Sequence, residues 1–326
     1  QYSIFTNDNF LYSAPLNPVT NNNLRTLGQF QLAYNILENL NISQKVAVDF
    51  VSIRESRFFD PTTNDGVDDN GSIDEYYNQN LGLTSQTKLA GYWTFNDLHN
   101  LDALAVFEVQ QYQNESFGST GIGLASGKLK TLNSTATPQN VAGFNTAYAF
   151  VSYLAQANYN YDNKYFFQGS VRNDGSSRFG ANNRNATFWS VGASWRIIEE
   201  GFMDNVTVMN DLKLRASYGT SGNAAIANFA SRGLYGFGAA YTGQPGSSPS
   251  QISNPDLTWE ESNSLNIGLD LSNSFNLSFR LFREIFRIFS NFTGSFSTSS
   301  DSRTSSRVAL FSFDIGFKSG LMKLNP

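Results

Sequence analysis

The chain has 326 residues and a net charge of −5, with 22 Lys+Arg against 27 Asp+Glu, so it lacks the basic surface that a nucleic-acid partner requires. It has no cysteine, which excludes a disulfide framework and a thiolate metal site. Charged residues make up only 15%, aromatics make up 14%, and there are 26 glycines, a balance unusual for a soluble enzyme and natural for a barrel with lipid outside. No apolar run approaches the roughly 18 residues of a transmembrane helix. The mean hydropathy of −0.32 still suits membrane strands, which are apolar on one face only. No signal peptide opens the chain at Gln1-Tyr2-Ser3, so it reads as mature or as lacking its N-terminal part.

In chain order, Gln1–Asn23 is Asn-rich and irregular. Phe30, Leu32 and Tyr34 then alternate with Gln29, Gln31 and Ala33, and Val46, Val48 and Phe50 alternate with Lys45, Ala47 and Asp49. Such period-two patterns predict strands with one apolar and one polar face. Leu89, Gly91, Trp93 and Phe95 form a third, turned at Asn96–His99 into Ala103, Ala105, Phe107 and Val109. The clearest hairpin is Tyr148–Asp174, whose strands meet at Tyr161-Asp162-Asn163-Lys164, with Tyr159, Tyr161, Tyr165 and Phe167 clustered on the apolar face near the turn. Trp189, Val191, Ala193 and Trp195 follow, then a connector at 197–210 with a short helix, then Leu212, Leu214, Ala216 and Tyr218. Leu265, Ile267, Leu269 and Leu271 make another strand, and Leu277, Phe279 and Leu281 begin the next.

Strand, short turn, strand, long loop recurs about five times, with long loops near 60–82, 114–146, 175–186 and 219–258. That layout predicts an all-β fold, part of a large antiparallel transmembrane barrel with extracellular loops on one side. The competing architecture is a soluble carbohydrate-binding β-sandwich or glycoside hydrolase, whose strands also alternate. Apolar rows such as Leu265 to Leu271 packed against a second layer of protein would favour it.

Three segments carry a family resemblance. Ser170–Gly180 (SVRNDGSSRFG), Leu214–Asn223 (LRASYGTSGN) and Asn254–Glu260 (NPDLTWE) resemble, in content and order, the signatures of SusC/RagA-type TonB-dependent transporters of the Bacteroidetes outer membrane, and Gly127–Asn133 (GKLKTLN) also fits. The resemblance covers roughly residues 23 to 279. It implies a plugged barrel of 22 strands, of which this chain would hold a middle-to-late piece of about ten, without the plug or the TonB-contacting segment. It further implies active import of oligosaccharides or peptides across the outer membrane, energised by TonB, with a SusD-like surface lipoprotein over the long loops. Its other partners would be outer-membrane lipid and the remaining barrel and plug of the same polypeptide. A siderophore or cobalamin receptor is the alternative within the class, and the NPDLTWE and DGSSRFG segments speak against it. Residues 283–326 match the pattern poorly.

No enzyme chemistry emerges. His99, the only histidine, reads as a solvated turn residue with no partners for a triad or zinc site. Glu199-Glu200 and Glu260-Glu261 are adjacent pairs whose side chains diverge on a strand, so neither makes an acid/base couple. Asp68, Asn70 and Asp74 overlap part of a calcium loop, but Gly66 and Tyr77 occupy its first and twelfth ligand positions, so a plain acidic surface loop is the favoured reading and no cofactor is implied. Asp174, Arg178, Asn183 and Arg184 either contact substrate at the mouth or hold their loop in shape, the second being favoured. Phe229, Tyr235 and Tyr241 offer rings for substrate or lid contact.

Overall fold

A computed structural model of the chain describes residues 10–207 and 209–273, together with the backbone of 295–299 and 310–314. The main sheet has nine strands in the order β1-β2-β3-β4-β5-β6-β7-β8-β11. These are β1 (Val19–Leu37), β2 (Leu40–Phe59), β3 (Ser72–Phe95), β4 (His99–Leu124), β5 (Thr135–Tyr161), β6 (Tyr165–Ser176), β7 (Asn185–Arg196), β8 (Met209–Asn223) and β11 (Glu260–Asn273). Two separate hairpins pair β9 (Leu234–Tyr241) with β10 (Gln244–Gln251), and β12 (Ser295–Ser299) with β13 (Leu310–Asp314). The chain divides into two compact units. The first comprises Gln1–Gln31, Lys45–Ser85 and Val109–Ala149, the second Leu32–Gln44, Gln86–Glu108 and Phe150–Pro326.

In the second unit, antiparallel pairing converts the alternation of single strands into continuous bands. Tyr159, Phe167, Ala193, Ala216 and Ile267 lie side by side across β5, β6, β7, β8 and β11. Ala157, Gly169, Val191, Tyr218 and Leu265 form the next apolar row. Between them, on the other face, runs Asn158, Gln168, Gly192, Ser217 and Asn266. A slip of one residue would put every ring on the polar side, so the register is strongly specified. Phe167 and Val191 are each 52% exposed and Ile267 43%, so among the described residues no second layer of protein covers these rows. Hydrocarbon is the solvent such a surface fits.

The short turns follow from local chemistry. Asp162 and Asn163 have φ of 52° and 54°, and the Lys164 amide donates to the Tyr161 carbonyl at 2.9 Å. Asn96 and Asp97 repeat this with φ of 50° and 56°. Asn and Asp tolerate the left-handed region that such two-residue hairpin turns need. Beside them Tyr165 stacks on Trp195 at 6.4 Å and 11°, and Tyr161 on Tyr165 at 6.2 Å. His99 belongs to this girdle rather than to a solvated turn: as the first residue of β4 it shares a 2.6 Å hydrogen bond with Tyr159 and packs on Tyr161 at 4.9 Å.

Several expected loops are strand. β3 begins at Ser72 and β4 ends at Leu124, while β5 begins at Thr135. A tilted strand crosses the apolar core in about 9–11 residues, whereas β3, β4 and β5 have 24, 26 and 27. Strand outside the hydrocarbon has polar chemistry on both faces, so Ser72–Asn80 shows no alternation. The Asn-rich N-terminal region contains helix α1 (Phe10–Leu16) and the start of β1. The connector after β7 holds two 3₁₀ turns, Ile197–Glu199 and Gly201–Met203. The strand expected at Leu277–Leu281 lies outside the described residues, as does most of 283–326.

Candidate functional site: the loop anchors

At the ends of β6, β7, β8 and β11 the three sequence segments converge on one buried cluster. Phe179, Phe188 and Trp259 are 1%, 6% and 8% exposed. The Trp259 ring lies 4.6 Å from Phe179 and meets Phe188 edge-on at 5.6 Å, and its Nε1–H donates to the Arg184 carbonyl at 3.0 Å. Gly222, from the LRASYGTSGN segment, supplies the missing space: a Cβ there would fall 2.0 Å from the Phe188 ring.

Hydrogen bonds then tie the β6–β7 loop to the segment before β11. The Gly180 amide donates to the Leu257 carbonyl at 2.9 Å, and the Asn182 amide to the Pro255 carbonyl at 3.2 Å. Asn182 Nδ2 donates to Asp256 Oδ1 at 2.7 Å and Asn183 Nδ2 to the Asp256 carbonyl at 2.9 Å. Arg178 donates to Asn228 Oδ1 at 2.7 Å and to the Ala224 carbonyl at 3.1 Å, and lies over the Phe150 ring. Arg178, Asn183 and Arg184 are therefore brought together as parts of a clamp. Asp174 sits elsewhere, on β6, where Arg172 Nε binds its two oxygens at 2.7 and 2.8 Å.

The aromatic loop residues separate. Phe229 has φ of 61°, its carbonyl accepts from Gln251 Nε2 at 3.0 Å, and the Arg232 guanidinium covers its ring. Tyr235 and Tyr241 ride on the β9–β10 hairpin at 64% and 83% exposure, with Phe237 at 88%. That hairpin is the aromatic surface the clamp holds outward.

The first unit has an equivalent anchor. Phe58, Ile73 and Leu124 are buried, with Leu132 of the GKLKTLN segment against them. Lys130 lies 4.7 Å over the Phe58 ring. Helix α2 (Asn64–Val67) opens the stretch that holds the calcium candidates, and backbone pairing occupies that stretch. Gly123 donates to the Asp69 and Gly71 carbonyls, Leu124 to the Asn70 carbonyl, and Asn70 Nδ2 to the Leu124 carbonyl. Asp68 caps α2 and Asp74 lies in β3, and among the described residues no cluster of three His, Cys, Asp or Glu could hold a metal.

Phe188, Gly222 and Trp259 lay within or beside segments read from the sequence, yet no local signal showed that they touch.

Strands with one lipid-facing band, one polar band, tight hairpin turns and anchored longer loops define a transmembrane β-barrel protein of the outer membrane. Residues 1–310 match the family model described as TonB dependent receptor-like, beta-barrel, and the chain belongs to that family. It is 39% identical over 181 residues to a TonB-dependent receptor of Formosa agariphila, covering 55% of this chain and 17% of that one. It is 40% identical over 136 residues to the TonB-dependent receptor SusC of Bacteroides thetaiotaomicron, covering 38% and 14%. Among solved structures, the RagAB peptide transporter aligns with a TM-score of 0.73 at 26% identity, over 79% of this chain and 29% of that one. The chain thus spans less than a third of the length of these relatives.

Proposed function

We propose that the complete protein imports oligosaccharides or peptides actively across the outer membrane, energised by TonB and working with a SusD-like surface lipoprotein. The barrel's part is mechanical, with no covalent catalysis: apolar rows anchor it, and the polar face makes a wet wall around a plug contributed by the same polypeptide. TonB would be engaged through a segment outside this chain.

The observation that carries this reading is the convergence of the three signature segments on the Phe179–Phe188–Trp259 cluster. It fixes the base of a long loop whose exposed hairpin presents Tyr235, Phe237 and Tyr241. Rigidly based loops with outward aromatic side chains suit contact with a capping lipoprotein or with cargo. Likeness to SusC and to a peptide transporter supports the same reading. Uptake of labelled oligosaccharide and peptide pools by cells carrying the complete receptor, with and without TonB, tests it. Uptake lost with TonB, together with a lipoprotein co-purifying in detergent, is the expected result. TonB-independent uptake, or a receptor purifying alone, would overturn it.

A further inference from the structure

We infer that a groove in the first unit, on the side of β2–β5 carrying Asp49 and Tyr112, is a subsite for a neutral sugar ring; the inference rests on the import reading above. The groove has a volume of ≈ 510 Å³ and is lined by Asp49, Gly82, Thr84, Gln110, Tyr112 and Tyr148 among others.

Four features point to saccharide. Tyr112 and Tyr148 stack at 5.0 Å and 23°, giving an aromatic wall of the kind that packs against the C–H face of a pyranose. That wall is held still: the Tyr112 hydroxyl donates to Asn80 Oδ1 at 2.6 Å, and Asn114 Nδ2 donates to the same oxygen at 2.6 Å. β3 lies between the strands carrying Asp49 and Tyr112, and there Gly82 leaves open space without needing to. A Cβ at Gly82 would meet only Asp49 atoms at 3.7 and 3.8 Å, an ordinary contact, so the missing side chain is room rather than a steric necessity.

The fourth feature is charge. Asp49 is the only charged side chain lining the groove among the described residues, and Arg25 engages both its oxygens at 3.2 and 3.0 Å. Each oxygen keeps a lone pair that can accept a sugar hydroxyl, while the net charge of the pair is zero. A peptide, with charged termini and side chains, would call for unpaired charges of both signs. A polyhydroxylated neutral ligand needs neither, and Thr84 and Gln110 add hydroxyl and amide chemistry that matches it.

The test uses the complete receptor in outer membranes. Cells carrying wild type, Tyr112→Ala, Tyr112→Phe or Gly82→Leu are fed a mixture of neutral oligosaccharides of four to eight sugars and a tryptic casein digest. Mass spectrometry follows TonB-dependent depletion of each pool, and receptor abundance is matched by immunoblot. Expected is oligosaccharide depletion, slowed about tenfold by Tyr112→Ala and Gly82→Leu and little by Tyr112→Phe, since loss of a central aromatic contact commonly costs that much. Oligosaccharide import indifferent to Tyr112→Ala and Gly82→Leu would overturn the site, and depletion of peptides alone would overturn the sugar assignment, while both leave the import reading standing. Depletion of neither pool would remove the import reading, and this inference with it.

Discussion

Gly180 packs so tightly beneath Pro255 that a Cβ on it would lie 1.9 Å from the Pro255 carbonyl oxygen. The contact joins the β6–β7 loop to the segment entering β11 at the point where the Gly180 amide reaches the Leu257 carbonyl. Backbone lies on both sides, so no flexible side chain can yield. Gly180→Ala must therefore part the two segments, at about 1–3 kcal/mol for overpacking. Limited proteolysis of the complete receptor checks this: cleavage within 224–259 should speed up severalfold while the barrel survives. Unchanged cleavage would mean the two segments separate without cost.

Trp259 is the largest member of the buried cluster and also a hydrogen-bond donor, to Arg184. Trp259→Ala removes both and is expected to cost about 3–5 kcal/mol. Trp259→Phe keeps most of the packing and loses the indole donor, at about 1 kcal/mol. Because the Arg184 carbonyl also accepts from the Ser176 amide at 3.0 Å, it is not left unpaired in the Phe variant. Denaturant unfolding followed by protection of the β6–β7 loop should rank the two in that order; equal effects would place the stabilisation in the hydrogen bond rather than the packing.

A pH dependence is built into the connector after β7. Glu200 accepts from the Tyr165 hydroxyl at 2.5 Å and from Trp195 Nε1 at 2.9 Å. These two bonds, the Tyr165 bond first, and then the charge of Lys164 hold its carboxyl below the usual glutamate range. A lowered folded value stabilises above the unfolded pKa of about 4.3, and that contribution disappears as pH falls through the lower folded value. The melting-temperature gap between wild type and Glu200→Gln should be flat from about pH 6 to 8 and shrink below about pH 4. A gap that grows on acidification would reverse the assignment.

How much could be read beforehand depended on which solvents a segment meets. Trp189, Val191 and Ala193 alternate with Ser190 and Gly192 because lipid lies on one side and water on the other, so strand, register and face were all legible. Ser72–Asn80 has no apolar row to turn toward lipid, with Ile73 buried against Phe58 and Leu124 among polar neighbours, so nothing forces alternation and its strand character came only from pairing. The clamp was hidden for another reason. Phe179 lies in the β6–β7 loop, Gly222 near the end of β8 and Trp259 just before β11, and no local sequence shows that the three meet. For Arg178 and Asn183 the favoured expectation was that they hold their loop in shape, but the sequence could not name the partners, which are backbone and amide groups of a neighbouring connection.

The same division of solvents gives a test of which face meets lipid. Val191 sits mid-row between Gly169 and Tyr218, whereas its chain neighbour Ser190 pairs with Ser170 and Gly219 on the opposite face. Val191→Arg would place a guanidinium in hydrocarbon, at about 2–4 kcal/mol near the bilayer midplane. Ser190→Arg would place it against the wet wall, where only crowding opposes it. Folding of the complete barrel into liposomes, read by heat-modifiable gel mobility, should fail or weaken for the first substitution and proceed for the second. If Ser190→Arg were the damaging one, the apolar band would face protein, and the rows of rings across β5 to β11 would be a core rather than a membrane surface.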